Sequence, residues 1–145
     1  MTEPGSLQPD AMATAHDISR LVLGSGRTVA AAEWFRGAVV AYSREVKFDV
    51  LGAERGPVIT PSCARQMARG VAELLGADFA VAVTGAGGPG PEEGKPQGTT
   101  FIAACSSTDD EIEEHHFTGE PEDVVYDTVR AALALLHRVV ERNCS

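Results

Sequence analysis

The sequence predicts an α/β domain with helices on both faces of a mixed sheet, and three observations lead there. Two stretches, at 60–76 and 121–142, carry apolar residues at helical spacing with capping chemistry at their ends. Apolar, partly β-branched runs at 28–32, 34–43, 79–83 and 99–106 read as strands, and a charged run at 109–118 has the composition of a sheet edge. The 145 residues, 43% of them hydrophobic, suffice for one core and fall short of two ordinary domains. Residues 10–145 therefore read as a single domain behind a flexible N-terminus at 1–9.

In chain order, Asp10 can cap a first helix reaching to about Leu23, with Ile18, Leu21 and Val22 on its apolar side and Gly24 and Gly26 ending it. Residues 28–32 read as a short strand. The run WFRGAVVAYS at 34–43 reads as another, although only Glu33 separates the two and no turn residue stands between them. Ser43 can cap a short helix over 44–51 that Gly52 ends. Thr60 and Pro61 open a stronger helix, cap followed by first-turn proline. Its face of Ala64, Met67, Ala68, Val71, Leu74 and Leu75 recurs at three and four until Gly76 supplies a stop.

Residues 79–83 form a buried strand, and TTFIAACS at 99–106 forms the next. DDEIEEHHFT at 109–118 reads as its edge neighbour. Pro121 opens the last helix, with Glu122 and Asp123 in the first turn and Arg138 and Arg142 in the last, matching the helix dipole. Val125, Thr128, Val129, Ala132, Leu135, Leu136 and Val139 form its expected buried stripe. The predicted order is αββααβββα.

Charge and cysteine content narrow the function classes. A net charge of −9 opposes a phosphate backbone, so no nucleic-acid partner is expected, while a local basic pocket for one small anion stays compatible. The three cysteines, Cys63, Cys105 and Cys144, are odd in number and lack C-x-x-C spacing, which argues against a disulfide scaffold or a zinc site and for a reducing, cytoplasmic setting. Neither a signal peptide nor a membrane span is read, and no membrane partner is expected. His115 and His116 are adjacent, so in a strand they point to opposite faces and cannot share a metal ion; no metal is expected. Cys63 has no His or Asp at readable spacing and fits packing under a helix. Arg36 suits a pocket mouth or a solvated strand end equally well.

The stretch that invites a ligand is TGAGGPGPEEGKPQG, from Thr84 to Gly98. Gly85, Gly87, Gly88 and Gly90, with Pro89 and Pro91, forbid regular structure and let backbone N–H groups come close to a bound group. The plainer reading is a long hairpin connection that needs Gly and Pro only to turn; its length within a compact chain favours a functional role. Only two lysines occur, Lys47 and Lys95, each beside a segment singled out on other grounds.

Four blocks in order carry a resemblance: YSREVKFDVLG from Tyr42, TPSCARQMARGVAELLGAD from Thr60, VAVTGAGGPG from Val81 and KPQGTTFIA from Lys95. Together they closely resemble the C-terminal domain of the competence- and damage-inducible protein CinA, whose single-domain relatives are nicotinamide-nucleotide amidases. The likeness runs from about Asp10 to Arg142. It implies a three-layer α/β/α fold with a mixed, about five-stranded sheet, and a homo-oligomer. It also implies metal- and cofactor-free hydrolysis of the nicotinamide mononucleotide carboxamide to the acid and ammonia, by a serine nucleophile in a motif near A-E-S-C-T-G-G.

Here Ala31-Ala32-Glu33 passes directly to Trp34-Phe35-Arg36-Gly37, and the serine, threonine and glycine pair are absent. What is missing relative to the family is a crossover of at least about a dozen residues, with its helix. Residues 28–43 are accordingly expected to form one long bent strand or two strands displaced from the family arrangement. The sheet face left uncovered is expected to be hidden by self-association.

Carried over residue by residue, the resemblance makes Tyr42 and Lys47 match a catalytic tyrosine and the lysine thought to activate the serine, a role for which burial would have to depress the lysine's pKa. Thr84 matches the threonine that ends the family's central strand and faces the substrate. Gly85, Gly87, Gly88 and Gly90 would offer N–H groups to phosphate or ribose, Lys95 a charge, and Ser43 a nearby hydroxyl. Ala86-Gly87 departs from the usual T-G-I-A-G-P and implies a looser loop. Two classes stay open: an amidase in which another hydroxyl, Ser43 or Thr84, or a partner protomer replaces the missing serine, and a non-catalytic relative that keeps the fold and the nucleotide pocket.

Overall fold

The computed structural model describes residue 18 and residues 34–144. Of the first expected helix only Ile18 is among them, helical and buried; the strand expected at 28–32 lies outside the described residues. The described elements are α1 (Arg44–Asp49), α2 (Pro61–Leu75), β1 (Ala80–Gly85), β2 (Thr99–Cys105), β3 (Asp110–His116) and α3 (Pro121–Cys144).

The helix starts follow from local chemistry. Ser43 Oγ accepts from the Val46 N–H and so caps α1, and Thr60 Oγ1 accepts from the Cys63 N–H to cap α2, with Pro61 in the first turn where its missing N–H costs nothing. At α3 the Asp123 carboxylate accepts the Glu120 N–H at 2.8 Å, the reciprocal half of a capping box. Gly76 closes α2. α1 stops at Asp49, earlier than the expected Leu51, and the chain then descends into the core, where Leu51 and Ala53 are buried.

The strands form one sheet in the order β1-β2-β3, both pairings antiparallel. Thr84 sits opposite Phe101, and Phe101 opposite Glu114. β2 is central and wholly buried. Its alternate side chains supply two cores: Phe101, Ala103 and Cys105 pack under α2, while Ile102 and Ala104 pack under α3 with Leu135 and Val139. These are the three layers.

Two expectations are corrected. The described sheet is antiparallel and three-stranded, against the mixed sheet of about five strands. Residues 35–42 are extended but pair with no strand among the described residues. Their burial still alternates as a strand's would, with Val39 and Ala41 against the core and Val40 and Tyr42 outside. A parallel pairing with residues 28–32 would need a crossover for which the single residue Glu33 leaves no room in the sequence. Gly37, at φ 145°, also bends the run. Along α3 the buried stripe is Val124, Ala132, Leu135, Val139 and Val140, whereas Val125 is exposed. The stripe is rotated by one residue at the N-terminal end, where Asp123 fixes the entry of the helix.

β3 has the expected charged composition, and both of its faces are tied down. Arg65 and Arg69 of α2 reach Asp110 at 2.9 and 2.8 Å. Arg142 of α3 meets Asp109 and Glu111, and Arg138 meets Glu113.

Candidate functional site

The glycine stretch between β1 and β2 is more ordered than its composition suggests. The β1–β2 ladder extends past Gly85, with the Ala86 N–H donating to Thr99 O at 2.9 Å and the Gly98 N–H to Ala86 O at 2.8 Å. Farther out, Glu92 and Lys95 exchange two backbone bonds of 3.0 and 2.9 Å across a tight turn formed by Glu93 and Gly94, both at positive φ. Between these rungs lies the bend 87–91, with a cis Gly88–Pro89 peptide. Gln97 ties the bend to the end of β3, because its Oε1 accepts the Gly90 N–H at 2.9 Å and its Nε2 donates to Gly119 O at 3.1 Å.

Of the four glycines expected to offer donors, Gly85 is engaged in the β1–β2 pairing opposite Thr100 and Gly90 is engaged by Gln97. Gly87 and Gly88 are exposed on the bend. The Lys95 ammonium lies 5.9 Å from the centre of the Phe101 ring, a cation–π arrangement that holds it over the α2 side of the sheet.

Tyr42, Ser43 and Lys47, from the segment before α2, and Thr84 of β1 are placed less favourably for catalysis. Tyr42 is 95% exposed. Ser43 Oγ is occupied as the α1 cap. Lys47 Nζ donates to Ala41 O at 2.5 Å, so it fastens the extended segment to α1. Thr84 is buried and does not face solvent; its Oγ1 donates to Val58 O at 2.7 Å, which pins the segment before α2 to the end of β1.

What joins these two groups is a residue that the sequence reading passed over. The Glu93 carboxylate accepts the Ile59 N–H at 2.7 Å and the Val58 N–H at 3.0 Å, and receives Arg44 Nη1 at 2.8 Å. The other Arg44 Nη donates to Gly56 O at 2.7 Å. Burial raises the Glu93 pKa, but the Ile59 and Val58 N–H groups and Arg44 outweigh it, so the carboxyl sits below its ordinary value. The same groups surround Cys63. Burial pushes that thiol up, Lys47 and Arg44 pull it down and Glu93 adds to the rise, leaving it above a free cysteine's value and inert, as a packing role requires.

On β3, His115 pairs with Glu113 and stacks on Phe117, while His116 lies toward Glu114, so adjacent imidazoles serve opposite faces. Among the described residues no group of three His, Cys, Asp or Glu side chains is placed to hold a metal ion.

A larger cavity, of about 770 Å³, lies elsewhere, between the segment 34–41, the end of α2, β1 from Ala80 to Val83, and Leu133 and Leu136 of α3. It follows the edge of β1 that has no partner strand among the described residues. Its wall is mainly apolar, and Arg36 at its rim already donates to Leu75 O. Volume alone would favour it, but among the described residues no titratable group deep in it could bind a phosphate or attack an amide, so the hairpin end of the sheet is the better candidate.

The paired carboxylates give an expected acid response. Asp110 is held below its ordinary value by the Arg69 hydrogen bond against burial, with Arg65 adding to the effect. Glu93 is depressed as described. Both folded values lie below the unfolded ones, so their stabilisation is complete above the ordinary carboxylate range near about 4 and is lost as pH falls through that range to the lower folded values. Urea midpoints measured between pH 7 and pH 3 should therefore drop on the acid side; a flat profile would contradict this.

The sequence profile of the CinA C-terminal domain matches residues 20–140. The chain is 36% identical over 94 residues to a putative competence-damage inducible protein of Bacillus subtilis (strain 168), covering 61% of this chain and 23% of that protein. It is 34% identical over 119 residues to a protein of the same description from Moorella thermoacetica, covering 77% and 28%. The chain thus spans about a quarter of the length of these relatives. Among solved structures, a CinA superfamily protein from Klebsiella pneumoniae 700603 superposes with a TM-score of 0.79 at 26% identity, over 93% of this chain and 99% of that one. The competence damage-inducible protein A from Klebsiella pneumoniae subsp. pneumoniae MGH 78578 gives 0.71 at 31% identity, over 88% and 81%.

Proposed function

The chain belongs to the CinA C-terminal domain family, and from that premise we propose that it binds a pyridine nucleotide at the hairpin end of its sheet without hydrolysing it. One observation carries this reading: the sequence runs from Ala31-Ala32-Glu33 straight to Trp34, without the serine segment on which the family resemblance places the nucleophile. The two hydroxyls considered as replacements are otherwise employed. Thr84 Oγ1 is committed to Val58 O in the core, and Ser43 Oγ to the α1 cap. Lys47 Nζ donates to Ala41 O and has no hydroxyl partner among the described residues. The hairpin and Lys95 belong to elements outside the lost segment.

The test is calorimetry with nicotinamide mononucleotide and its acid. Weak binding is expected, and Lys95→Ala should weaken it by about 1–3 kcal/mol if the ammonium bonds the phosphate. Unchanged affinity in that variant would remove Lys95 from the site.

A second copy of the chain is the macromolecular partner proposed here. Phe35, Val40 and Tyr42 are 54, 86 and 95% exposed along an extended segment with no ladder among the described residues, and such apolar area is seldom left bare. Light scattering should report a species larger than one chain, returned toward the monomer by Val40→Asp with Tyr42→Asp. A clean monomer of the unsubstituted chain at high concentration would sink the proposal. Among the described residues no helix is long and apolar enough to cross a membrane.

A further inference from the structure

We infer that Glu93 is the positioning residue of this site: its carboxylate clasps the hairpin tip to the 56–59 segment and to α1, and so sets Lys95 relative to the elements that carry Ser43 and Lys47. The inference rests on the nucleotide-binding reading for its ligand but not for its geometry.

Glu93 is the one non-glycine residue among those described with positive φ, at 52°. It stands first in a two-residue turn whose second residue, Gly94, has φ 74°. Turns with two positive φ values favour Asn or Gly at the first position, because a longer side chain is strained there. A glutamate at this position needs a compensation that only its side chain can supply.

That compensation is visible. The carboxylate receives two backbone N–H groups and one guanidinium nitrogen, from residues 34, 35 and 49 positions away in sequence. Its side chain is only 16% exposed although it stands at a loop tip. Charge-assisted bonds of this kind are stronger and more directional than neutral ones. Arg44 extends the clasp to Gly56 O, so the hairpin tip, the connection into α2 and the first residue of α1 meet at one carboxylate. The ring of Phe101 under Lys95 and the Thr84–Val58 bond then fix the same elements from below.

A role confined to shaping the turn makes the opposite prediction from a clasp. Glu93→Gly relieves the strained φ and keeps a favoured turn, so a turn-shaping role predicts an unchanged or firmer hairpin. The clasp predicts loosening on both sides of the contact. In the ligand-free 145-residue chain, amide hydrogen exchange should quicken by at least about tenfold in Glu93→Gly at Lys95, whose N–H bonds Glu92 O, and together with it at Val50 and Leu51, whose N–H groups bond Val46 O. Glu93→Gln, which keeps the bulk and one acceptor, should show the same pattern at smaller amplitude and serves if the glycine variant fails to fold.

Exchange that stays at the unsubstituted rate at Lys95 and at Val50 and Leu51 in both variants overturns the inference, even if Val58 and Ile59 quicken. With nicotinamide mononucleotide as the probe, the dissociation constant should rise by about tenfold in Glu93→Gly, and adding Arg44→Ala should cause little further loss because both substitutions open one contact. Fully additive losses would count against the clasp. Absence of binding by the unsubstituted chain would refute the nucleotide reading alone, since the exchange measurements judge the clasp without ligand.

Discussion

Nicotinamide mononucleotide incubated with the purified chain should release no ammonia above the uncatalysed background. A carboxamide is a poor electrophile, so its hydrolysis needs a nucleophile, a base beside it and donors for the oxyanion in one place. Lys47 lies where the resemblance puts the base, yet its ammonium is bonded to a backbone carbonyl. The hydroxyls that the resemblance offers it are occupied or turned away: Ser43 caps a helix, Thr84 is buried on Val58 O, and Tyr42 is exposed to solvent. Removing the serine from a comparable hydrolytic apparatus costs a factor of order a million in rate. Ammonia release measured by a coupled assay at high protein concentration is the check. A rate within a few hundredfold of a family amidase run alongside would show that a partner protomer or another residue supplies the nucleophile.

The largest stability effect of a one-carbon change is expected at Gly98. Its N–H donates to Ala86 O and its carbonyl accepts the Phe117 N–H, so this residue links the far ends of β1 and β3 through the start of β2. Its φ is +95°, and a Cβ built there would lie 1.8 Å from Phe117 O. Gly98→Ala must therefore strain the backbone and push the Phe117 carbonyl away. Together these should cost about 3 kcal/mol or more. In a domain of this size that is a fall of roughly 10 °C in the thermal midpoint. Gly87→Ala is the natural control, because a Cβ there meets nothing within 4 Å and should leave the midpoint near that of the unsubstituted chain. Equal midpoints for the two variants would show that the β2–β3 junction yields more easily than its geometry suggests.

Much of this architecture is legible before any coordinates because it is local. Thr60-Pro61 and Gly76 bracket α2 by capping chemistry, and the runs at 79–83 and 99–106 announce β1 and β2 to within a residue or two. The charged composition of 109–118 places β3 at a margin. What escapes is non-local. The run 34–43 has a strand's alternation, but whether it is a strand depends on a neighbour elsewhere in the chain. Val124 replaces Val125 in the α3 stripe because a bond from Asp123 to the Glu120 N–H sets the entry of that helix. Thr84 reads from the motif as a ligand-facing hydroxyl, and only the position of Val58, 26 residues earlier, reveals its buried partner. Glu93 sits in a stretch whose composition draws attention to its glycines. No spacing rule connects it to Ile59 and Arg44.

The arginines that grip β3 from both helices have a consequence for stoichiometry. With Asp109, Asp110, Glu111 and Glu113 all paired with arginines on α2 and α3, the strand is held in its own sheet, and these charged side chains make its edge costly to desolvate against an identical edge from another molecule. The opposite side of the sheet, along β1 and the segment 34–42, is apolar and unladdered among the described residues. If the proposed self-association uses this side, two copies meeting face to face leave no second apolar side to recruit with, and growth should end at two chains instead of running on into fibres.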